Sequence, residues 1–245
     1  MRNARLYPRI WFRASVLATV VLLLLGVGVR SASADDTMDA RQLVERARLT
    51  FESFSADPYL GENLRVLVNK AKAVLIYPQV LRAAFIFGAS GGSGVLLTRD
   101  PANGAWYGPA FYTIGEASFG LQAGADASEV VLVALSERGV SALLATSGKL
   151  GANASVALGP IGAGLTGATE NISADIVSYS RNKGLYAGLS VEGAVVATRG
   201  SLNAAYYGSD VTPTDILIKH TLTNQNAAGL IADVTKVTGG SVATR

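Results

Sequence analysis

The chain has 245 residues, with 21 Lys/Arg, 18 Asp/Glu, one His and no Cys. Without cysteine there is no disulfide, no thiolate metal site and no cysteine nucleophile, and a single histidine rules out any site that needs two or three imidazoles. The formal net charge of +3 does not argue for nucleic acid, which needs a basic stripe on the folded domain.

Residues 1–34 read as an export signal. Arg2, Arg5, Arg9 and Arg13 precede an uncharged run over 14–29, and Ala32-Ser33-Ala34 follows as an A-x-A cleavage site. The run is shorter than the ~20 residues a spanning helix prefers. An exported, periplasmic protein starting at Asp35 is expected, able to lie peripherally on a membrane. Removing 1–34 takes away five arginines and leaves 16 basic and 18 acidic residues, a net charge of −2. Residues 41–82 stay locally basic, with seven Lys/Arg against four acids.

Residues 35–245 are expected to form one domain, with helices over about 36–72, a β-rich core over 73–199 and helices again over 200–238. Asp36 or Thr37 can cap a first helix running to about Phe54, with Leu43, Val44, Ala47, Phe51 and Phe54 as its apolar stripe. A second helix over about Leu60–Lys72 follows the Asp57-Pro58 break. From Ala73 short apolar runs alternate with glycines: Val74–Tyr77, Ala83–Phe87, Gly94–Arg99, Trp106–Tyr112, Ser118–Ala125, Glu129–Leu135, Asn153–Leu158, Asp175–Ser180 and Leu185–Thr198. Val130–Leu135 is apolar on both faces, which predicts a central strand covered on each side. Ser136–Thr146 reads as a helix between strands. Leu202–Tyr207, Pro213–Lys219 and Asn224–Val237 close the chain as helices. The class is α+β: a highly twisted or barrel-like, mostly antiparallel, Gly-rich sheet packed with N-terminal and C-terminal helices.

Two blocks carry a family likeness. Ser178–Val196, SYSRNKGLYAGLSVEGAVV, joins a basic turn at Arg181-Asn182-Lys183-Gly184 to a period-2 strand. Lys70–Leu97 joins a Lys-Ala-Lys helix end to a strand closed by Tyr-Pro and a second strand entering a Gly/Ser turn. The chain resembles the SYLF family on these blocks, over roughly residues 40–240. The resemblance implies a module that binds phosphoinositides and other lipids, and actin in fungal members. No appended SH3 or FYVE domain is read in the chain. With an export signal, the expected partners are anionic envelope phospholipids, such as phosphatidylglycerol or cardiolipin, or an envelope protein, with no nucleic acid and no cofactor.

The phosphate-binding candidates are Lys70, Lys72, Arg82, Arg181 and Lys183, all inside the two blocks. Arginine meets phosphate oxygens through a planar fork and lysine as a point charge. Competing motifs are weaker. Gly88-Ala89-Ser90-Gly91-Gly92 matches a nucleophile elbow, and Ser90, Asp175 and His220 follow the hydrolase order. A strand rather than a helix is expected after the glycines, however, so a Gly-rich hairpin is the better reading. Gly162–Gly167 matches GxGxxG without the βαβ context a dinucleotide site requires. His220 is expected to be a polar helix-end residue. Asp175 and Glu192 are expected to form structural ion pairs, with Arg181, Lys183 and Arg199 as candidate partners. The expected function is non-enzymatic binding of anionic phospholipid headgroups through a basic patch, with no catalytic or metal residue.

Overall fold

The computed structural model describes residues 32–84, 87–119, 124–160, 173–182 and 191–239. The chain divides into two compact units, Met1–Asp35 and Asp36–Arg245. In the first unit only residues 32–35 are described, and the reading of 1–31 lies outside the described residues. They form the first turn of α1 (Ala32–Ser55), which α2 (Gly61–Lys70) follows. The Asp57 carboxylate accepts from the Tyr59 and Leu60 amides in the break between the helices.

Four long strands come next: β1 (Ala73–Ala84), β2 (Phe87–Arg99), β3 (Trp106–Phe119) and β4 (Gly124–Ala134). Then come α3 (Glu137–Leu144) and four shorter strands, β5 (Ser147–Lys149), β6 (Val156–Leu158), β7 (Ile176–Asn182) and β8 (Val195–Thr198). The chain ends in α4 (Gly200–Tyr207), α5 (Pro213–Leu217), a 3-10 turn and α6 (Ala228–Val237). The eight strands among the described residues form one sheet in the order β5-β8-β3-β2-β1-β4-β7-β6. Every pairing is antiparallel except β6 with β7. Among the described residues three-residue strands stand at both edges and offer few free amides to a stray strand.

Both faces of the sheet are buried over its half near Ala73, while the far end, with Leu81 at 55% exposure, is open, and β4 shows why the near half is covered. Val131 and Val133 join a core with Val74, Ile76 and Val95, under Phe51 and Phe54 of α1, Leu64 and Leu67 of α2, and Leu230 of α6. Val130, Leu132 and Ala134 face the opposite core, with Tyr77, Tyr112, Val140 and Leu143 of α3, and Ile216 and Leu217 of α5. A strand apolar at every position is stable only when covered twice. The sheet is thus a middle layer. The C-terminal helices do not stay together: α6 packs on the α1/α2 face and α5 on the other.

Several boundaries differ from the expectation. Tyr77-Pro78 does not close a strand. It lies in a bulge, where register shifts between Ile76 and Gln79 against β2 and between Tyr77 and Val80 against β4. The bulge absorbs the missing proline N–H, so β1 continues to Ala84. Gly88–Gly92 is not a hairpin turn but the first part of β2. At Gly92 a β-carbon would collide with the Gln79 carbonyl oxygen, so the glycine permits the close approach at the bulge rather than a turn. Arg181 and Asn182 end β7 instead of forming a basic turn. The predicted strand Leu185–Thr198 is seen only as Val195–Thr198; residues 183–190 lie outside the described residues, and Glu192 sits in a turn.

Candidate functional site

At the Ala73 end of β1 a cleft of about 660 Å³ opens. Its walls come from the end of α2, the end of β2 with the turn after it, the start of α3 and the end of α5. Sheet hydrogen bonding extends past the strand ends and fixes these segments: the Lys72 amide donates to the Ala134 carbonyl at 2.9 Å, and the Arg99 amide to the Lys72 carbonyl at 2.8 Å. Lys70, Lys72 and Arg99 therefore line the cleft together.

The three cations are held differently. Lys70, in the last turn of α2, is exposed and makes no ion pair among the described residues. Lys72 Nζ lies 2.7 Å from Glu137 Oε1, with Glu137 largely in solvent. Such a pair contributes at most about 1 kcal/mol, so Lys72 can exchange its partner for a ligand. Arg99 is clamped: Nη1 donates to the Asn69 carbonyl at 2.8 Å and Nε to the Gly104 carbonyl at 3.1 Å. Asn69 belongs to the last turn of α2, whose carbonyls lack helical donors.

Asp100, His220 and Ile218 complete the walls. Asp100 Oδ1 accepts from the Ala102 amide at 2.7 Å. His220 takes a left-handed backbone with φ 52°, stacks on Tyr107 at a ring separation of 3.5 Å, and donates from Nε2 to the Leu217 carbonyl at 3.0 Å. Its Nδ1 lies 3.8 Å from Asp100 Oδ2. A left-handed non-glycine residue is uncommon and persists where surrounding contacts over-determine it. Ile218 is 49% exposed at the rim.

The remaining sequence candidates lie elsewhere. Ten residues of strand, at ~3.3 Å each, set Arg82 about 30 Å along β1 from Lys72. Arg82 is flanked in register by Ser90 and Asp126 and lies 3.4 Å from Glu116. Arg181 is spent internally: Nε donates to Glu129 Oε2 at 2.8 Å, Nη2 to Ser53 Oγ at 2.8 Å, and the guanidinium lies 4.7 Å from the centre of the Phe54 ring. Lys183 lies outside the described residues. The five predicted cations thus do not make one patch. Two of them join Arg99, which was not singled out, although Arg-Asp-Pro at the end of an apolar run is the signal that marks it.

Ser90, Asp175 and His220 do not meet. Ser90 is inside β2, about 30 Å along the strand from Arg99 and so from the cleft that holds His220. Asp175 is the hub of a structural network. It accepts from Ser136 Oγ, from the Ser155 amide and hydroxyl, and from Arg138 Nε and Nη2. These donors, Ser136 first, hold its carboxyl well below the usual carboxylate range. Among the described residues its cationic partner is Arg138, not Arg181 or Arg199; Lys183 lies outside the described residues. Arg199 donates instead to Ser93 Oγ at 2.7 Å. The GxGxxG match at 162–167 lies outside the described residues. Among the described residues no three His, Asp or Glu side chains cluster to hold a metal ion, and no helix is long and apolar enough to cross a membrane.

Comparison with known proteins adds a family. The model of the family Ysc84, described as Las17-binding protein actin regulator, matches residues 115–237, half of the chain. The SH3 domain-containing YSC84-like protein 1 of Bos taurus is 36% identical over 154 residues, 62% of this chain and 44% of the relative. The Homo sapiens protein of that name is 35% identical over 158 residues, 63% of this chain and 45% of the relative. Protein YSC84 of Saccharomyces cerevisiae is 34% identical over 156 residues, 62% of this chain and 33% of the relative. The match spans less than half the length of each of these relatives.

Proposed function

The chain belongs to the Ysc84 family, whose domain is the SYLF module, and from that starting point we propose that it is a non-enzymatic binding module that engages anionic phospholipid headgroups in the cleft between Lys70, Lys72 and Arg99. One observation carries the reading. Two helix-end lysines and a clamped arginine share a cleft whose rim carries the exposed Ile218. Cations beside a solvent-facing aliphatic side chain suit a bilayer surface, where phosphate and acyl chain meet. A broad basic patch is no part of the proposal, because Arg82 and Arg181 are engaged by Glu116 and Glu129.

The setting we propose is the bacterial periplasm, after cleavage behind Ala34. Cleavage there would leave Asp35 and Asp36 at the new start of α1, where carboxylates oppose the positive end of the helix dipole. N-terminal sequencing of the exported protein tests it, and a mature chain that retains residues 1–34 would refute it.

Flotation with phosphatidylglycerol vesicles tests the binding. K70A/K72A is expected to lose most of the binding, R82A to keep it, and high salt to weaken it by screening. Binding unchanged in K70A/K72A removes the cleft from the proposal. The second reading is a protein partner, favoured by the family description and by the SH3 and YSC84 names of the relatives. Recovery of one partner from delipidated envelope extract, without vesicle binding, would select it.

A further inference from the structure

The cleft is not built for a bare anion. Beside Lys70, Lys72 and Arg99 its walls hold two carboxylates, Asp100 and Glu137. Glu137 is an exposed helix-start residue paired with Lys72. Asp100 is different. Its side chain is only 17% exposed, and its backbone is locked in the turn, with its amide donating to the Ala105 carbonyl and its carbonyl accepting from Gly104, each at 2.8 Å. Oδ1 is used by the Ala102 amide, while Oδ2 points toward His220 Nδ1 at 3.8 Å, beyond hydrogen-bond length. A recessed, oriented carboxylate repels phosphate and lowers the affinity for any purely anionic ligand. It is a favourable partner for a cation that enters with the phosphate.

We infer that the cleft selects a phospholipid headgroup that carries a primary ammonium next to its phosphate, with Lys70 and Arg99 on the phosphate and Asp100 Oδ2 on the ammonium. The inference rests on the phosphate contact of the headgroup reading above and departs from it on net charge, since the headgroup class it names carries an ammonium beside the phosphate anion. A primary ammonium offers three N–H donors to a carboxylate, whereas a trimethylammonium offers none. Ethanolamine-type headgroups are therefore preferred over choline-type headgroups of the same charge. The half-exposed Ile218 at the rim favours a bilayer source over free solution. His220, held by the Tyr107 stack and the Leu217 carbonyl, walls the ammonium side, while the Ala102 amide keeps Asp100 oriented.

The test uses the full exported chain and two vesicle sets with equal phosphatidylglycerol content, one completed with phosphatidylethanolamine and the other with phosphatidylcholine. Wild-type protein is expected to bind the ethanolamine set roughly threefold more tightly, the size of one partly exposed ion pair. D100N keeps the Oδ1 acceptor for Ala102 and so the turn. It is expected to bind both sets equally and to hold the phosphatidylcholine set at least as well as wild type. Bilayer packing differs between the sets but acts on both proteins alike, so only a preference that depends on Asp100 supports the inference. Equal binding of both sets by wild type, or an equal preference in D100N, overturns it while leaving the headgroup reading intact. No binding to either set overturns the headgroup reading itself.

Discussion

Arg99 on β2 closes the last turn of α2: its Nη1 donates to the Asn69 carbonyl at 2.8 Å, thirty residues away in sequence. One side chain thus ties the helix that carries Lys70 to the strand end next to Asp100, in addition to the backbone bonds of Lys72 and Arg99 that fix the walls of the cleft. Replacing Arg99 with Lys is expected to cost about 1.5–3 kcal/mol, because a point charge cannot reach both the Asn69 and Gly104 carbonyls, and hydrogen bonds from a charged donor are worth about that much. Urea denaturation checks the stability, and an R99K variant as stable as wild type removes the clamp.

Arg181 is assigned to structure rather than to ligand. It is 14% exposed, bonded to Glu129 and Ser53, and set over Phe54. R181A is expected to lose about 1–3 kcal/mol, below the range for a fully buried pair because Glu129 keeps solvent contact. Vesicle affinity should hold. A double-mutant cycle with E129A should give a coupling energy of clear sign. Loss of vesicle binding in a folded R181A would return the residue to the binding surface.

Gly92 faces the bulge at Tyr77-Pro78. A β-carbon there would meet the Gln79 carbonyl, and backbone cannot yield as a flexible side chain can. G92A is expected to destabilise by about 1–3 kcal/mol, the usual scale of overpacking. G91A is the control, since its β-carbon would make only ordinary contact, 3.7 Å from the Ile114 carbonyl oxygen. Equal thermal midpoints for the two variants would refute the account of the bulge.

Asp215 anchors the short helix that ends at the cleft. The Lys219 ammonium first, then the Thr212 hydroxyl and amide, lower its carboxyl to about 2. The folded value lies below the unfolded one, so the carboxylate stabilises the fold above the unfolded value of about 4. That contribution fades as pH falls toward 2. NMR titration of the Asp215 side chain should show a midpoint near 2, and T212A should move it upward. A midpoint at the ordinary Asp value would mean that the capping box of α5 does not form.

The helices were readable because their signals are local. The apolar stripe from Leu43 to Phe54 has helical spacing within one segment, and all five of its residues are buried. Thr212-Pro213 with Asp215 is a capping signature that needs no knowledge of the rest of the chain. Val130–Leu135 announced a strand covered twice because every position is apolar. The bulge was not readable. Tyr-Pro carries the same local signal whether the chain stops or steps aside, and only the register of β2 and β4 on either side decides between them.

What the amino-acid sequence determined by itself is the class, the helix positions, the central strand and the family, all of which depend on spacing within a segment or on order along the chain. What the tertiary structure decided is which charges meet. Lys72 and Arg82 are close in sequence, yet the extended strand between them carries them to opposite ends of the sheet. Lys70, Arg99 and Asp100 come together because strand pairing brings the end of β2 back beside the end of α2. Coulomb interactions depend on distance in space, and that distance follows from register, which no single segment contains.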